Sequence, residues 1–229
     1  MSQVEQTGER LAPPRVARDL PVVILKRPAW KRPLDIVGAL AGLVLSAPLM
    51  LLAALLVKLT SSGPVVFRQE RAGLGGKPFV VYKFRSMYSD AEQLKRFLLP
   101  FNEQTGPAFK MKDDPRITPF GRVIRRLSID ELPQLWNVLK GDMSLVGPRP
   151  LPCDEVPCHH NMCVPQRQLC RLSVKPGLTC YWQVSGRSEI GFQEWLRLDM
   201  RYVREQAFLT DLKLLLLTIP AVLSGRGAT

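Results

Sequence analysis

Ile36-Val37-Gly38-Ala39-Leu40-Ala41-Gly42-Leu43-Val44-Leu45-Ser46-Ala47-Pro48-Leu49-Met50-Leu51-Leu52-Ala53-Ala54-Leu55-Leu56-Val57 decides how this chain is read, because its 22 residues carry no charge. A helix needs ~20 apolar residues to cross a hydrocarbon core, so a single span is open. Two features favour a different path. Pro48 has no N–H, and its ring crowds the carbonyl of Val44, which predicts a kink or break. Both flanks are basic, with Lys31 and Arg32 before the run and Lys58, Arg68 and Arg71 after it. The positive-inside rule then places both ends on the cytoplasmic side. A helix–break–helix hairpin meets both conditions, each arm of about ten residues rising ~15 Å into one leaflet. Ser46 is a local hydroxyl for carbonyls freed near the break. Asp35 follows Lys31 and Arg32 by four and three residues, so a helical ion pair at the interface is expected.

The segments on either side read differently. Residues 1–30 are polar, basic and Pro-containing, with no apolar run ending at a small-residue cleavage site. They are expected to form a flexible arm rather than a signal peptide. The whole chain has 229 residues, enough for a real core, and 46% hydrophobic content argues against disorder. Lys and Arg number 32 against 20 Asp and Glu, a formal net charge of +12 that points to an anionic partner. Nucleic acid is disfavoured, because aromatic residues are not interleaved with the basic ones. Five cysteines cannot all pair within the chain, which argues against a secreted disulfide scaffold.

Beyond residue 60 the spacing predicts a β-hairpin from Pro64–Arg71 and Pro78–Phe84, turning at Gly73-Leu74-Gly75-Gly76. No GK[ST] follows these glycines, so a turn is a better reading than a phosphate loop. A short helix is expected over 90–99, an amphipathic one over 192–203 and an apolar one over 211–223. Asp199 falls on the apolar stripe of the second of these, which predicts a buried partner such as an arginine.

Ser128-Ile129-Asp130-Glu131-Leu132-Pro133 sets two adjacent carboxylates where a helix should start, since Pro133 fits only a first turn. Asp130 as an N-cap, or Ser128 with Glu131 as a capping box, explains them structurally. Arg125 and Arg126 just upstream allow another role. A helix start beside arginines attracts phosphate, and a carboxylate there can bind a divalent cation or attack phosphorus. Gly147-Pro148-Arg149-Pro150 is a stiff turn presenting one guanidinium, either as plain surface or for bidentate phosphate contact. Cys153, Cys158, Cys163 and Cys170 bracket His159 and His160, but without C-x2-C spacing, so reduced loop cysteines are expected over zinc.

These motifs together resemble the bacterial sugar transferase family, the monotopic polyprenyl-phosphate phosphoglycosyl transferases. The resemblance runs from Lys31 to about Gly227. It is carried by Lys31-Arg32-Pro33-Leu34-Asp35 before the Pro-broken segment, Gly63-Pro64-Val65-Val66-Phe67, Tyr82-Lys83-Phe84-Arg85-Ser86-Met87, Asp114-Pro115-Arg116-Ile117-Thr118, Ser128 to Gln134, Gly141 to Pro150 and Lys175-Pro176-Gly177. It implies an α+β, mainly helical protein with a flexible arm (1–30), a re-entrant hairpin (31–60) and a cytosolic catalytic domain (61–229). It further implies a UDP-sugar donor, an undecaprenyl (polyprenyl) phosphate acceptor, Mg2+ and a place on the cytoplasmic face of the inner membrane, among its lipids. A homodimer is compatible with it. Asp130 takes the nucleophile's place and Glu131 that of its acidic partner, and both are the implied metal ligands. Arg125 and Arg149 match phosphate-binding arginines, with Lys83, Arg85 and Arg116 as further donors to the nucleotide sugar. The chain departs from the family at Cys180, where Gly is usual, at Glu205-Gln206-Ala207 in place of Trp-Ser, and in the Cys/His loop. The multi-span N-terminal region of larger members is not seen in this sequence.

Overall fold

The computed structural model describes residues 22–103, 109–153, 169–225 and 227. The chain is mainly helical, with two small two-stranded sheets among the described residues. Helix α1 spans Lys31–Thr60 and runs unbroken through Pro48. The predicted interruption into two helices is therefore corrected to one continuous helix. The Ser46 hydroxyl donates to the Gly42 carbonyl one turn back, at 2.6 Å, and not to the Val44 carbonyl that Pro48 leaves without an N–H donor. By length and composition α1 is the one described helix able to cross a membrane.

One stripe of α1 packs on the rest of the protein. Ala39 belongs to the main core with Val81, Leu135, Val138, Met143 and Leu145. Ala53 and Val57 lie in a second cluster with Phe84 and Ile124. Glycine permits the close approach at the N-terminal half, since a Cβ on Gly38 would lie 2.5 Å from Leu145 Cδ1. The helix is thus built into the body rather than standing as a domain apart, although Val37, Leu40, Val44, Leu45, Leu51 and Leu55 on its other faces remain exposed.

Charges hold both ends of α1. Lys31 Nζ donates to Val146 O and Tyr202 Oη, each at 2.8 Å, and pairs with the fully buried Asp211. Tyr202 Oη in turn donates to Asp211 Oδ1 at 2.9 Å. Asp35 does not make the expected pair with Lys31 or Arg32. It pairs with Arg27 and accepts from Ser144 Oγ and Leu145 N, at 2.8 and 2.9 Å. Arg32 instead donates to Val138 O and Leu139 O, at 2.7 and 2.6 Å, where helix α4 (Gln134–Lys140) ends. At the other end, Arg85 Nη2 donates to Ser61 O at 2.7 Å and Val57 O at 3.2 Å.

Strands β1 (Val66–Ala72) and β2 (Pro78–Phe84) form the antiparallel hairpin, with Phe67 opposite Lys83 and Glu70 opposite Val80. Gly75 at φ +66 makes its turn. Helices α2 (Ala91–Leu98) and α3 (Pro119–Arg126) follow. Strands β3 (Ser144–Val146) and β4 (Gly177–Thr179) pair in parallel. A short helix α5 (Tyr181–Val184) follows β4. Helices α6 (Phe192–Glu205) and α7 (Phe208–Ser224) complete the fold. Part of the predicted flexible arm is docked, with Leu25 N donating to Ser173 O at 2.9 Å. Residues 1–21 of that arm lie outside the described residues.

The Lys31–Asp211 pair yields a test. Removing one partner of a buried pair strands the other, at a cost of ~3–5 kcal/mol, or on the order of 10 °C in melting temperature for a chain of this size. Lys31→Met should show that loss in a thermal melt of the detergent-solubilised protein. Lys31→Met with Asp211→Leu should recover much of it, because no unpaired charge remains.

Candidate active site

Helix α3 is capped by Thr118, whose hydroxyl accepts from Gly121 N at 2.9 Å. It ends at Arg126, with Leu127 as its C-cap; Ser128 then adopts a left-handed conformation (φ +54), and the chain reverses into a 3-10 turn over Ile129–Glu131. This replaces the predicted helix start at Asp130. Ser128 makes no side-chain cap, and Glu131 does not reach back to it. Apolar anchors fix the turn on both sides. Ile129 packs with Phe84, Ile124, Ala53 and Val57, while Leu132 packs on the main core.

The turn presents Asp130 and Glu131 to a cleft of 520 Å³, lined also by Lys83, Arg116, Arg125, Arg149, Trp182 and Arg187. Glu131 Oε1 accepts from Lys83 Nζ at 2.8 Å and from Arg149 Nη2 at 2.7 Å. Burial alone would raise the Glu131 carboxyl, but the charges of Arg149 and Lys83 hold it well below the usual carboxylate range. Asp130 has no hydrogen-bond partner among the described residues. Burial pushes its carboxyl up to about 6, with Lys83 opposing and the Glu131 anion adding to the rise. Burial likewise lowers the Lys83 ammonium to about 8, against the pull of Glu131.

The predicted donors divide into two groups. Lys83, Arg149 and Arg125 converge on the acidic pair, and Asp130 and Glu131 are among the charges acting on Arg125. Arg116 lines the cleft but is held by Asp114 through Nε–Oδ1 and Nη2–Oδ2 bonds of 2.9 and 2.6 Å. Arg85, expected as a phosphate donor, is put to another use. Its guanidinium is taken up by Ser61, Pro64 and Val57 at the end of α1.

Several residues that build the site carried no signal as site residues. Arg149 is set by its neighbours, with its guanidinium 4.9 Å from the Trp182 ring centroid and its carbonyl accepting from Arg171 Nη2 at 2.7 Å. Arg171 also pairs with Asp199 at 2.8 Å, the arginine partner expected for that carboxylate. Asn137, fully buried on α4, accepts from Tyr82 N at 3.1 Å and donates to Val80 O at 2.7 Å. It thereby satisfies the edge of β2 that carries Lys83. Cys180 is buried in the core, and burial raises its thiol well above the ordinary range. Cys158, Cys163, His159 and His160 lie outside the described residues.

A divalent cation fits the acidic pair. Mg2+ is commonly held by one or two carboxylates plus substrate phosphates, so it needs no all-protein cage. Among the described residues, Asp130 has no hydrogen-bond partner and the side-chain hydrogen bonds of Glu131 engage Oε1 only. No group of three or more His, Cys, Asp or Glu gathers among the described residues.

Comparison with known proteins agrees with this geometry. The family model for bacterial sugar transferases matches residues 26–225. The galactosyl transferase CpsE of Streptococcus agalactiae is 48% identical over 199 residues, covering 86% of this chain and 43% of CpsE. The uncharacterised sugar transferase EpsL of Bacillus subtilis is 44% identical over 197 residues, covering 86% of this chain and 89% of EpsL. The UDP-glucose:undecaprenyl-phosphate glucose-1-phosphate transferase of Caulobacter vibrioides is 41% identical over 225 residues, covering 94% and 74% of the two chains. The cleft sets basic side chains around a buried acidic pair, in a body that also carries one long apolar helix among the described residues. The chain belongs to the bacterial sugar transferase family.

Asn137 gives the test of how this site is assembled. Asn137→Ala leaves Tyr82 N–H and Val80 C=O without partners, at ~1–3 kcal/mol each. A thermal melt should fall by roughly 5–10 °C. Turnover should fall as well, because Lys83 follows Tyr82 directly. Asn137→Asp retains the acceptor but not the donor, and should be intermediate in both measurements.

Proposed function

We propose that this transferase moves a phosphosugar from a UDP-sugar to polyprenyl phosphate, releasing UMP, through a covalent intermediate on Asp130. The observation that carries the proposal is the unequal treatment of two adjacent carboxylates. Glu131 is claimed by two cations, while Asp130 lies buried in the same cleft with no hydrogen-bond partner among the described residues. A nucleophile needs an available lone pair, and its neighbour can bind and orient. The Caulobacter relative is named for UDP-glucose and undecaprenyl phosphate, and CpsE for galactosyl transfer, which supports the substrate class and leaves the sugar open.

In the first step an Asp130 carboxylate oxygen forms a bond to the β-phosphorus. The bond from that phosphorus to the bridging oxygen breaks, and UMP leaves with the oxygen. In the second step a polyprenyl phosphate oxygen attacks the same phosphorus and releases the Asp130 carboxylate. Arg125 and Arg149 neutralise charge building on the phosphoryl oxygens. Mg2+, held by Asp130 and Glu131, would supply further neutralisation of the diphosphate. Lys83 keeps Glu131 ionised and in place.

The acceptor is a lipid, which gives α1 a role beyond anchoring. Both of its ends are held by the same body, at Lys31 by Val146, Tyr202 and Asp211 and at Val57 by Arg85. A straight 30-residue helix is ~45 Å long, and crossing a bilayer would carry its two ends to opposite faces. The shared attachment supports a helix that stays continuous but bends at Pro48, so that it enters and leaves on the cytoplasmic side with its exposed leucines in one leaflet. The cleft then lies at headgroup depth, where the acceptor phosphate is.

Asp130→Asn tests the chemistry. The substitution preserves size, so folding should be nearly intact. UMP release should fall to background even in a single turnover without acceptor. Wild-type protein given labelled UDP-sugar alone should gain phosphosugar mass on the peptide containing Asp130. Release of UMP by the Asn variant at the wild-type rate would rule out the covalent route. Glu131→Gln should slow turnover by two orders of magnitude or more (~3 kcal/mol, as for a lost preorganised contact).

Topology has its own test. Single cysteines introduced near residues 25 and 65 should both resist an impermeant thiol reagent applied to intact cells, and both should react in inverted vesicles. Labelling of one site from outside would establish a span.

A further inference from the structure

Among the described residues, four arginines are more than nine-tenths buried: Arg85, Arg116, Arg171 and Arg187. Three have evident protein acceptors. Arg85 clasps the end of α1, Arg116 holds Asp114, and Arg171 joins Asp199 to the Arg149 carbonyl. Arg187 is the exception. It is 5% exposed, its Nε and Nη2 are buried, and neither has a hydrogen-bond partner among the described residues. Buried guanidinium N–H groups without acceptors are costly, so a protein retains them where something else supplies the acceptor.

The backbone around Arg187 is strained in a way that aims it. Gly186 has φ +125, a conformation open mainly to glycine, and Arg187 itself has φ +53, which side chains other than Gly, Asn and Asp seldom adopt. This reversal between α5 and α6 places Arg187 in the lining of the cleft with Trp182, Arg149 and the acidic pair. Its charge acts on Glu131, Arg149 and Asp130.

The identity of the two nitrogens defines the ligand. Nε and Nη2 form the side edge of a guanidinium, with two parallel N–H groups that match two oxygens on one carbon or phosphorus. Arg116 uses this same edge to hold both oxygens of Asp114. We infer that Arg187 is a substrate ligand in this transferase, its Nε–Nη2 edge taking two oxygens of a phosphoryl group of the nucleoside diphosphate donor beside Asp130. The inference rests on the proposed reaction for the presence of a diphosphate donor. It adds a phosphate ligand from the α5–α6 turn, opposite in sequence to the Arg125 side of the site.

The test uses the full-length protein in detergent with Mg2+ and undecaprenyl phosphate, and a donor panel of UDP-glucose and UDP-galactose. Arg187→Lys keeps the charge but loses the two-pronged edge, and Arg187→Met removes both. Each should lower kcat/KM for the donor by about thirtyfold or more, as for loss of charge-assisted hydrogen bonds. The inhibition constant of UDP should rise by a similar factor, while that of uridine, which has no phosphate, should stay within twofold. A purely structural role would shift both inhibitors together. Such a joint shift, or a folded Arg187→Lys protein within threefold of wild type, would overturn the inference and leave the proposed reaction standing. Should wild-type protein release no UMP from any donor, the proposed reaction fails first and this inference with it.

Discussion

Asp130 and Glu131 are consecutive, both less than a tenth exposed, and both would carry negative charge in one small volume. Burial and mutual repulsion each oppose that state. The site exists because cations from distant parts of the chain meet there: Lys83 from β2, Arg149 from the Pro-flanked turn and Arg125 from α3. Each cation needs its own support. Lys83 depends on β2, whose outer edge is completed by Asn137. Arg149 depends on Trp182 beneath its guanidinium and on Arg171 at its carbonyl, and Arg171 in turn on Asp199. Much of the fold can therefore be traced outward from one crowded pair of carboxylates.

Helix α1 enters this arrangement directly. Ile129, immediately before Asp130, belongs to the cluster that includes Ala53 and Val57, and Leu132, immediately after Glu131, packs in the core that includes Ala39 and Leu43. The acidic turn is held by apolar contacts to both halves of the long helix. A displacement of α1 toward or away from the membrane would move the carboxylates with it. This links the most apolar element to the most charged one without a hydrogen bond between them, and it relates the height of the helix in a bilayer to the height of the reacting atoms.

Local signals in the sequence foretold local structure. The β-hairpin and the amphipathic helix with its buried Asp199 were legible locally, as was the nearness of Arg125 to the two carboxylates, whereas a shared site with Lys83 and Arg149 was implied only by the family resemblance. What was not legible was the choice among partners far apart in sequence. Asp35 had Lys31 and Arg32 within one turn, yet its partners are Arg27, Ser144 and Leu145. Lys31 instead reaches Asp211, 180 residues away. Arg85 looked like any other basic residue near the site, and only tertiary placement directs it to the carbonyls that close α1. The break predicted at Pro48 rested on a missing N–H. It could not weigh the packing that holds the helix on either side of the proline. Asn137 and Arg171 carry no motif of their own, because supporting a strand edge or a carbonyl leaves no spacing to detect.

The two carboxylates show how one dipeptide can supply two kinds of oxygen. Identical pairing of both with cations would leave neither free to attack, and pairing of neither would leave two buried anions without compensation. Lys83 and Arg149 resolve this by sharing a single atom, Glu131 Oε1. Glu131 is thereby held ionised at low free-energy cost, and its fixed negative charge, with burial, raises Asp130 to about 6. An anion that is less stabilised by hydrogen bonds is a better nucleophile than one fully satisfied by them, provided it is still ionised when substrate arrives. The 3-10 turn matters for the same reason. An α-helical start with Asp130 as N-cap would have directed its oxygen onto backbone N–H groups. The left-handed Ser128 gives up that cap and turns the carboxylate into the cleft. Local helix stability is forgone at the position where the proposed reaction needs an available oxygen.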